Sequence, residues 1–247
     1  MLNAMIFAAG LGTRLRPLTD SVPKALVKLA GKTLLERAIK KLIDLKVDRI
    51  VINVHHHAGL IEDFLKENKN FGTDIRISDE RDELLDTGGG LKKARKLFIP
   101  DAPVLIYNVD VLSSMDLNDF IENHKKSEAL VSMVMRNRET SRYLYFNKQN
   151  QLTGWKNCKT GKIKEVKEGI SNSTPLAFSG IHLIAPRIFS LITEEGKFSI
   201  IDLYLRLAHN EKVIAYKDES KIWIDLGKPE QLKKAEELIE QGGIAQI

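Results

Sequence analysis

Five short apolar runs, at residues 4–9, 49–54, 75–78, 104–109 and 130–135, alternate with helical patterns at 33–45, 60–67, 90–97 and 117–126. Continuous apolar runs of this length read as strands buried on both faces, and the amphipathic segments between them read as crossover helices. Thr33 and Glu36 have capping-box spacing, and Leu35, Ala38, Leu42 and Leu45 follow at helical intervals, so the first helix turns one stripe towards a core. The pattern predicts an α/β fold: a mostly parallel twisted sheet flanked by helices, Rossmann-like in arrangement. Ligands of such sheets gather at the C-terminal strand ends, which sets residues 10–24, 55–57, 79–90 and 110–113 along one rim.

From residue 136 the chain changes character. Segments 143–146 and 151–155 flank Asn147-Lys148-Gln149-Asn150, a hairpin signal. Segment 157–173 is polar, rich in Lys and Glu, and reads as a flexible flap over the site. A strand at 176–184 follows, then a helix opened by Pro186 in its first position. A strand at 221–226 and a helix from 229 to 239 close the pattern. There is no internal repeat and no low-complexity linker, and 247 residues leave room for one substantial domain. The expected division of 1–247 is a first half, 1–135, a second half, 136–227, with a small inserted β subregion, and a C-terminal helix within 228–247.

Composition narrows the function classes. The chain is 43% apolar and 29% charged with a net charge of +5, and its cations alternate with acids rather than forming a basic face interleaved with aromatics. Nucleic acid is therefore not an expected partner. The single cysteine, Cys158, excludes an intramolecular disulfide and a thiolate zinc cluster. No window approaches the roughly 18 apolar residues of a membrane span, so no membrane partner is expected. The first apolar run lacks the cationic lead of a signal peptide, and a cytoplasmic protein is expected. No oligomeric state is legible.

The chemistry concentrates in Gly10-Leu11-Gly12-Thr13-Arg14 and in Pro17, Thr19, Pro23 and Lys24 behind it. A glycine turn leaving a buried strand and bearing Arg and Lys offers N–H groups and positive charge to phosphate. A dinucleotide-binding turn would need glycine where Leu15 stands, no Pro17, and an acid where Asn53-Val54-His55 ends the second strand. A P-loop ending in Gly31-Lys32-Thr33 would need glycine at Leu26. The run His55-His56-His57 cannot aim three side chains at one ion, because adjacent residues leaving a strand point to opposite sides; it reads as a loop.

The full spacing Gly-x-Gly-Thr-Arg-x-x-Pro-x-Thr, three residues, Pro-Lys resembles the signature loop of the sugar-1-phosphate nucleotidylyltransferases. Three further segments extend the resemblance across nearly the whole chain. Asp86-Thr87-Gly88-Gly89-Gly90 resembles the family's loop that approaches the nucleotide base. Asn108-Val109-Asp110 resembles its strand end with a magnesium-binding Asp, although Val109 stands where glycine is common. Trp223-Ile224-Asp225-Leu226-Gly227-Lys228-Pro229 resembles the closing motif that supplies the second metal carboxylate. More loosely, Phe178-Ser179-Gly180 resembles the strand bordering the sugar. Glu165-Val166-Lys167-Glu168 resembles a sugar-phosphate Glu-Lys pair, without the usual proline after the lysine.

The resemblance implies nucleotidyl transfer: a nucleoside triphosphate and a sugar-1-phosphate give a nucleotide sugar and pyrophosphate. Residues 1–135 become the nucleotide-binding half and 136–227 the sugar-binding half. Nucleotide contacts are implied for Ala9, Gly10, Gly12, Thr13, Arg14, Lys24, Glu80, Thr87, Gly88 and Gly89, and sugar-phosphate contacts for Asn108, Lys167, Ser179 and Gly180. Arg14, Lys24 and Asp110 are the expected catalytic groups, and Asp110 with Asp225 the expected ligands of Mg²⁺. With Phe178-Ser179-Gly180-Ile181 and Phe198-Ser199, the pattern is most similar to N-acetylmuramate-1-phosphate uridylyltransferases of cell wall recycling. Mannose- and heptose-1-phosphate guanylyltransferases share much of it, so uracil and guanine both stay open. The repeat acetyltransferase or regulatory domain of larger relatives is expected to be absent. A non-catalytic nucleotide-binding regulatory protein is the reading from another class, disfavoured because both metal acids are present.

Overall fold

The computed structural model describes residues 1–167 and 169–242. Glu168 and residues 243–247, at the end of the expected C-terminal helix, lie outside the described residues. Strands β1 (Asn3–Phe7), β4 (Arg49–Val54), β5 (Ile75–Asp79) and β6 (Val104–Asn108) are parallel in the order β6-β1-β4-β5, as the continuous apolar runs predict. Two-residue strands β2 (Lys28–Leu29) and β3 (Lys32–Thr33) form a hairpin before α1 (Leu34–Asp44). The Thr33 hydroxyl accepts from Glu36 N–H and starts that helix. Helices α2 (Ala58–Glu67), α3 (Asp86–Ala94) and α4 (Leu117–Ser127) complete the crossovers, with the short strand β7 (Val111–Ser113) before α4.

Alternation along β1 divides the core. Ala4 and Ile6 pack on one face with Leu35, Ala38 and Leu42 of α1, while Met5 packs on the other with Leu91 and Ala94 of α3. The sheet is less uniformly parallel than the sequence pattern predicts. Strand β8 (Val131–Arg136), hairpin β9 (Arg142–Phe146) and β10 (Leu152–Asn157), β11 (Ile163–Glu165) and long β12 (Thr174–Ile184) add antiparallel pairs beside β6. The cause is local: the turn at 147–150 is closed by Asn150 N–H donating to Asn147 O, and a tight turn makes its strands antiparallel neighbours.

Segment 157–173 is not simply a flap. Its residues 163–165 pair with β10 as an edge strand, and Val166 is buried, with its N–H donating to Thr153 O. The helix expected from Pro186 shrinks to α5 (Ile188–Leu191). Helix α6 (Ile200–Leu207) and strand β13 (Val213–Lys217), parallel to β8, precede β14 (Trp223–Asp225) and α7 (Pro229–Glu240). Among the described residues no helix is long and apolar enough to cross a membrane.

Candidate active site

The glycine loop is braced from below. Asn53, near the end of β4, accepts from Ala8 N–H at 2.8 Å and Ala9 N–H at 3.4 Å. Its amide donates to Glu80 Oε1 at 2.8 Å, and Glu80 Oε2 accepts from Leu85 N–H at 3.1 Å. Asn53 and Glu80 are buried, so each bond satisfies a group that water cannot reach. Gly12 takes a left-handed conformation (φ 63°), and a Cβ there would crowd Lys24 and Thr19 at 3.0 Å. The Thr19 hydroxyl donates to Gly12 O, tying the loop's two ends together. Sequence and packing thus require glycine at this position.

A cavity of about 380 Å³ opens over this loop. Of the residues expected at the site, Ala9, Gly10, Lys24, Glu80, Thr87, Asn108 and Asp110 line it. Asn53, Asp86 and Lys197 join them; sequence reasoning did not select Asn53 or Lys197. Gly12, Thr13 and Arg14 lie beside the cavity in the same loop rather than in its wall. Gly88 and Gly89 sit below it: both donate N–H to Phe198 O, and a Cβ on Gly88 would overlap the Phe198 ring. Their glycines serve helix-to-loop packing, a different reason from approach to a base. Thr87 joins both roles, lining the cavity while its hydroxyl accepts from Ile200 N–H at 3.0 Å. Lys167 is exposed in the turn after β11 and does not line the cavity.

Asp110 and Asp225, more than a hundred residues apart in the chain, are joined by the β7–β14 pair. Asp225 registers against Val111, and Leu226 N–H donates to Asp110 O at 2.8 Å. The Tyr107 hydroxyl donates to Val111 O from a fully buried position that pushes its pKa well up, keeping it a donor. Each acid also meets a loop cation. Lys24 Nζ donates to Asp110 Oδ2, and Arg14 Nη1 lies 3.7 Å from Asp225 Oδ2. Two carboxylates at one rim fit a hard divalent cation that completes its shell with phosphate oxygens and water. Among the described residues no group of three or more His, Cys, Asp or Glu forms a metal cluster. The histidine run has other uses: His55 Nδ1 meets Glu80 O at 2.7 Å, and His57 takes the left-handed position at the start of α2.

On the second-half side, β12 shifts register between Phe178 and His182. Gly180 lies beside Asn108 there, and Ser179 is buried with its O accepting from Trp223 Nε1 at 3.0 Å. Arg138, which sequence reasoning passed over, stacks 4.2 Å over the Trp223 ring. Its position in a polar loop after β8 carries no spacing signal.

The model of the family described as "Nucleotidyl transferase" matches residues 3–242. The N-acetylmuramate alpha-1-phosphate uridylyltransferase of Caulobacter vibrioides is 33% identical over 241 residues, covering 94% of this chain and 95% of that protein. Mannose-1-phosphate guanyltransferase 2 of Candida glabrata is 29% identical over 92% of this chain and 62% of its own length. The crystal structure of HddC from Yersinia pseudotuberculosis complexed with GMP-PN superposes with a TM-score of 0.76 at 24% identity, covering 97% of this chain and 100% of that one. That last likeness speaks to the fold alone.

Proposed function

This chain belongs to the nucleotidyl transferase family, and from that premise we propose that it joins a nucleoside triphosphate to a sugar-1-phosphate, releasing pyrophosphate. The favoured pair is UTP and N-acetylmuramate α-1-phosphate, in keeping with the 33% identity to the Caulobacter enzyme. The observation that carries the reading is the meeting of the glycine loop, Lys24 and Asp110 around one cavity, with Asp225 brought to Asp110 by strand pairing.

The nucleophile is a phosphate oxygen that is already charged, so no side chain has to be activated. That oxygen forms a bond to the α-phosphorus, the bond from this phosphorus to the bridging oxygen of the β-phosphate breaks, and pyrophosphate leaves with the electron pair. The obstacle is repulsion between anions, so positioning and neutralisation supply the catalysis. The N–H groups of the 10–13 loop face the triphosphate, and Arg14 lies against its outer phosphates. Lys24 stabilises charge on the α-phosphate. Asp110 and Asp225 would hold Mg²⁺, which when bound neutralises the reacting phosphates. Asn53 and Glu80 keep the loop amides fixed.

Pyrophosphate release across a panel of triphosphates and sugar-1-phosphates tests this. UTP with N-acetylmuramate 1-phosphate is the expected best pair. Strongest release with GTP and mannose 1-phosphate would instead support guanylyl transfer, which the Candida relative favours. No release from any pair refutes nucleotidyl transfer.

A further inference from the structure

Arg138 stands in the loop after β8 with incomplete polar contacts. It is half-buried, and among the described residues it makes no ion pair, whereas its neighbour Arg136 is paired with Asp218 at 2.6 Å. Its Nη2 donates to Phe178 O at 2.9 Å, and Nη1 has only the long 3.2 Å contact to Glu139 O. Nε is buried without a hydrogen-bond partner. Burial lowers the guanidinium's pKa, opposed by the charge of Asp225 nearby. Stacking on Trp223 orients the group. Ser179, next to the carbonyl that Arg138 holds, is fully buried, and its hydroxyl also lacks a partner.

A desolvated charge and an unpaired hydroxyl side by side are costly unless something completes them. The surrounding charge is consistent with an anion. Residues 136–167 carry nine Lys and Arg against two acids, in a chain whose overall net charge is only +5. Neither Arg138 nor Ser179 lines the cavity that holds Lys24 and Asp110.

We infer that Arg138, with Ser179 beside it, receives a carboxylate carried by the sugar in addition to its 1-phosphate, making the acceptor an acidic sugar phosphate. The inference rests on the nucleotidyl transfer reading and adds the residue that would select among sugars. Arginine suits the task because its planar fork matches a carboxylate.

N-Acetylmuramate 1-phosphate and N-acetylglucosamine 1-phosphate differ by the lactyl ether that bears the carboxylate. With UTP and Mg²⁺, the wild-type protein is expected to favour the first by about 10- to 100-fold in kcat/KM, mainly through KM, the scale of a charged hydrogen bond. Arg138→Gln should collapse the preference to within about threefold, Arg138→Lys should retain part of it, and Ser179→Ala should reduce it. Equal use of both acceptors by the wild type overturns the inference while nucleotidyl transfer stands. Parallel loss with both acceptors in Arg138→Gln also overturns it, because that is what a purely structural arginine would give. If no pair releases pyrophosphate, calorimetric binding of the two acceptors makes the same comparison, and equal affinities overturn it.

Discussion

Asn53 and Glu80 share a 2.8 Å hydrogen bond between two buried side chains, one at the end of β4 and the other just beyond β5. Through it a carboxyl with no contact to the glycine loop fixes the loop's Ala8 and Ala9 amides, since both donate to the Asn53 oxygen. Gly90 packs on the same pair: a Cβ there would stand 2.7 Å from Glu80 Oε1. The start of the glycine turn thus rests on a polar network, and a buried network of this kind matters most when one member is removed.

Glu80→Ala should therefore cost about 2–4 kcal/mol of stability, because Asn53 Nδ2 in a buried place and Leu85 N–H in a half-buried one would both lose their acceptor. Urea denaturation measures it. A double-mutant cycle with Asn53→Ala should give a coupling of at least about 1 kcal/mol. Additive losses would mean that the two side chains act independently.

Asp110→Asn and Asp225→Asn should each lower turnover by at least about 100-fold, the scale of one lost transition-state contact. Both should also weaken Mn²⁺ binding followed by electron paramagnetic resonance in the presence of the triphosphate. Because the β7–β14 pair brings Asp225 beside Asp110, the two losses should be far from additive in the double variant. A near-normal rate in either single variant would remove that acid from the metal assignment.

The parallel half of the fold was legible because its strands are apolar on both faces and its helices carry one clean stripe. The rim was legible too: Gly10, Lys24, Thr87, Asn108 and Asp110 all reach one cavity. What local pattern could not reveal depends on partners distant in sequence. Gly88 and Gly89 look like a loop made for a ligand, yet they answer to Phe198, a hundred residues on. In the sequence, Asn53 marks only a place where a dinucleotide-binding fold would need an acid. Its use is clear once Ala8 and Glu80 stand on either side of it. Lys in a polar segment gives no hint that residues 163–165 form an edge strand, since the hydrogen bonds of β11 are made by backbone.

Gly88→Ala tests the packing reading. The added methyl would overlap the Phe198 ring, so the variant should lose about 1–3 kcal/mol. Phe198→Ala in the same chain should return part of that loss, because the ring that the methyl meets is gone. A Gly88→Ala protein as stable as wild type, but weakened in triphosphate binding, would show instead that this glycine faces the ligand.

Stability should fall on mild acidification for a reason separate from the site. His182 is fully buried, with Nδ1 2.6 Å from the Tyr204 hydroxyl, and burial pushes its pKa down to about 3. His124, with Nδ1 2.7 Å from Ser132 Oγ, is lowered to about 4 by the same cause. In the unfolded chain both take up a proton near pH 6.5, so below that pH the unfolded state binds protons that the native state refuses. Each histidine then removes stability at about 1.4 kcal/mol per pH unit as the pH drops from 6.5 towards its native value, and removes none above about pH 7.5. Carboxylates held low by arginine, such as Glu194 beside Arg206, lose their contribution only below their ordinary range near pH 4.5. The window from pH 6.5 to 4.5 therefore isolates the histidines. Urea midpoints across it should fall steeply in the wild type. His124→Asn and His182→Asn, which keep a polar atom near Ser132 and Tyr204, should each remove about half of the slope. A slope unchanged by both substitutions would place the acid sensitivity elsewhere in the chain.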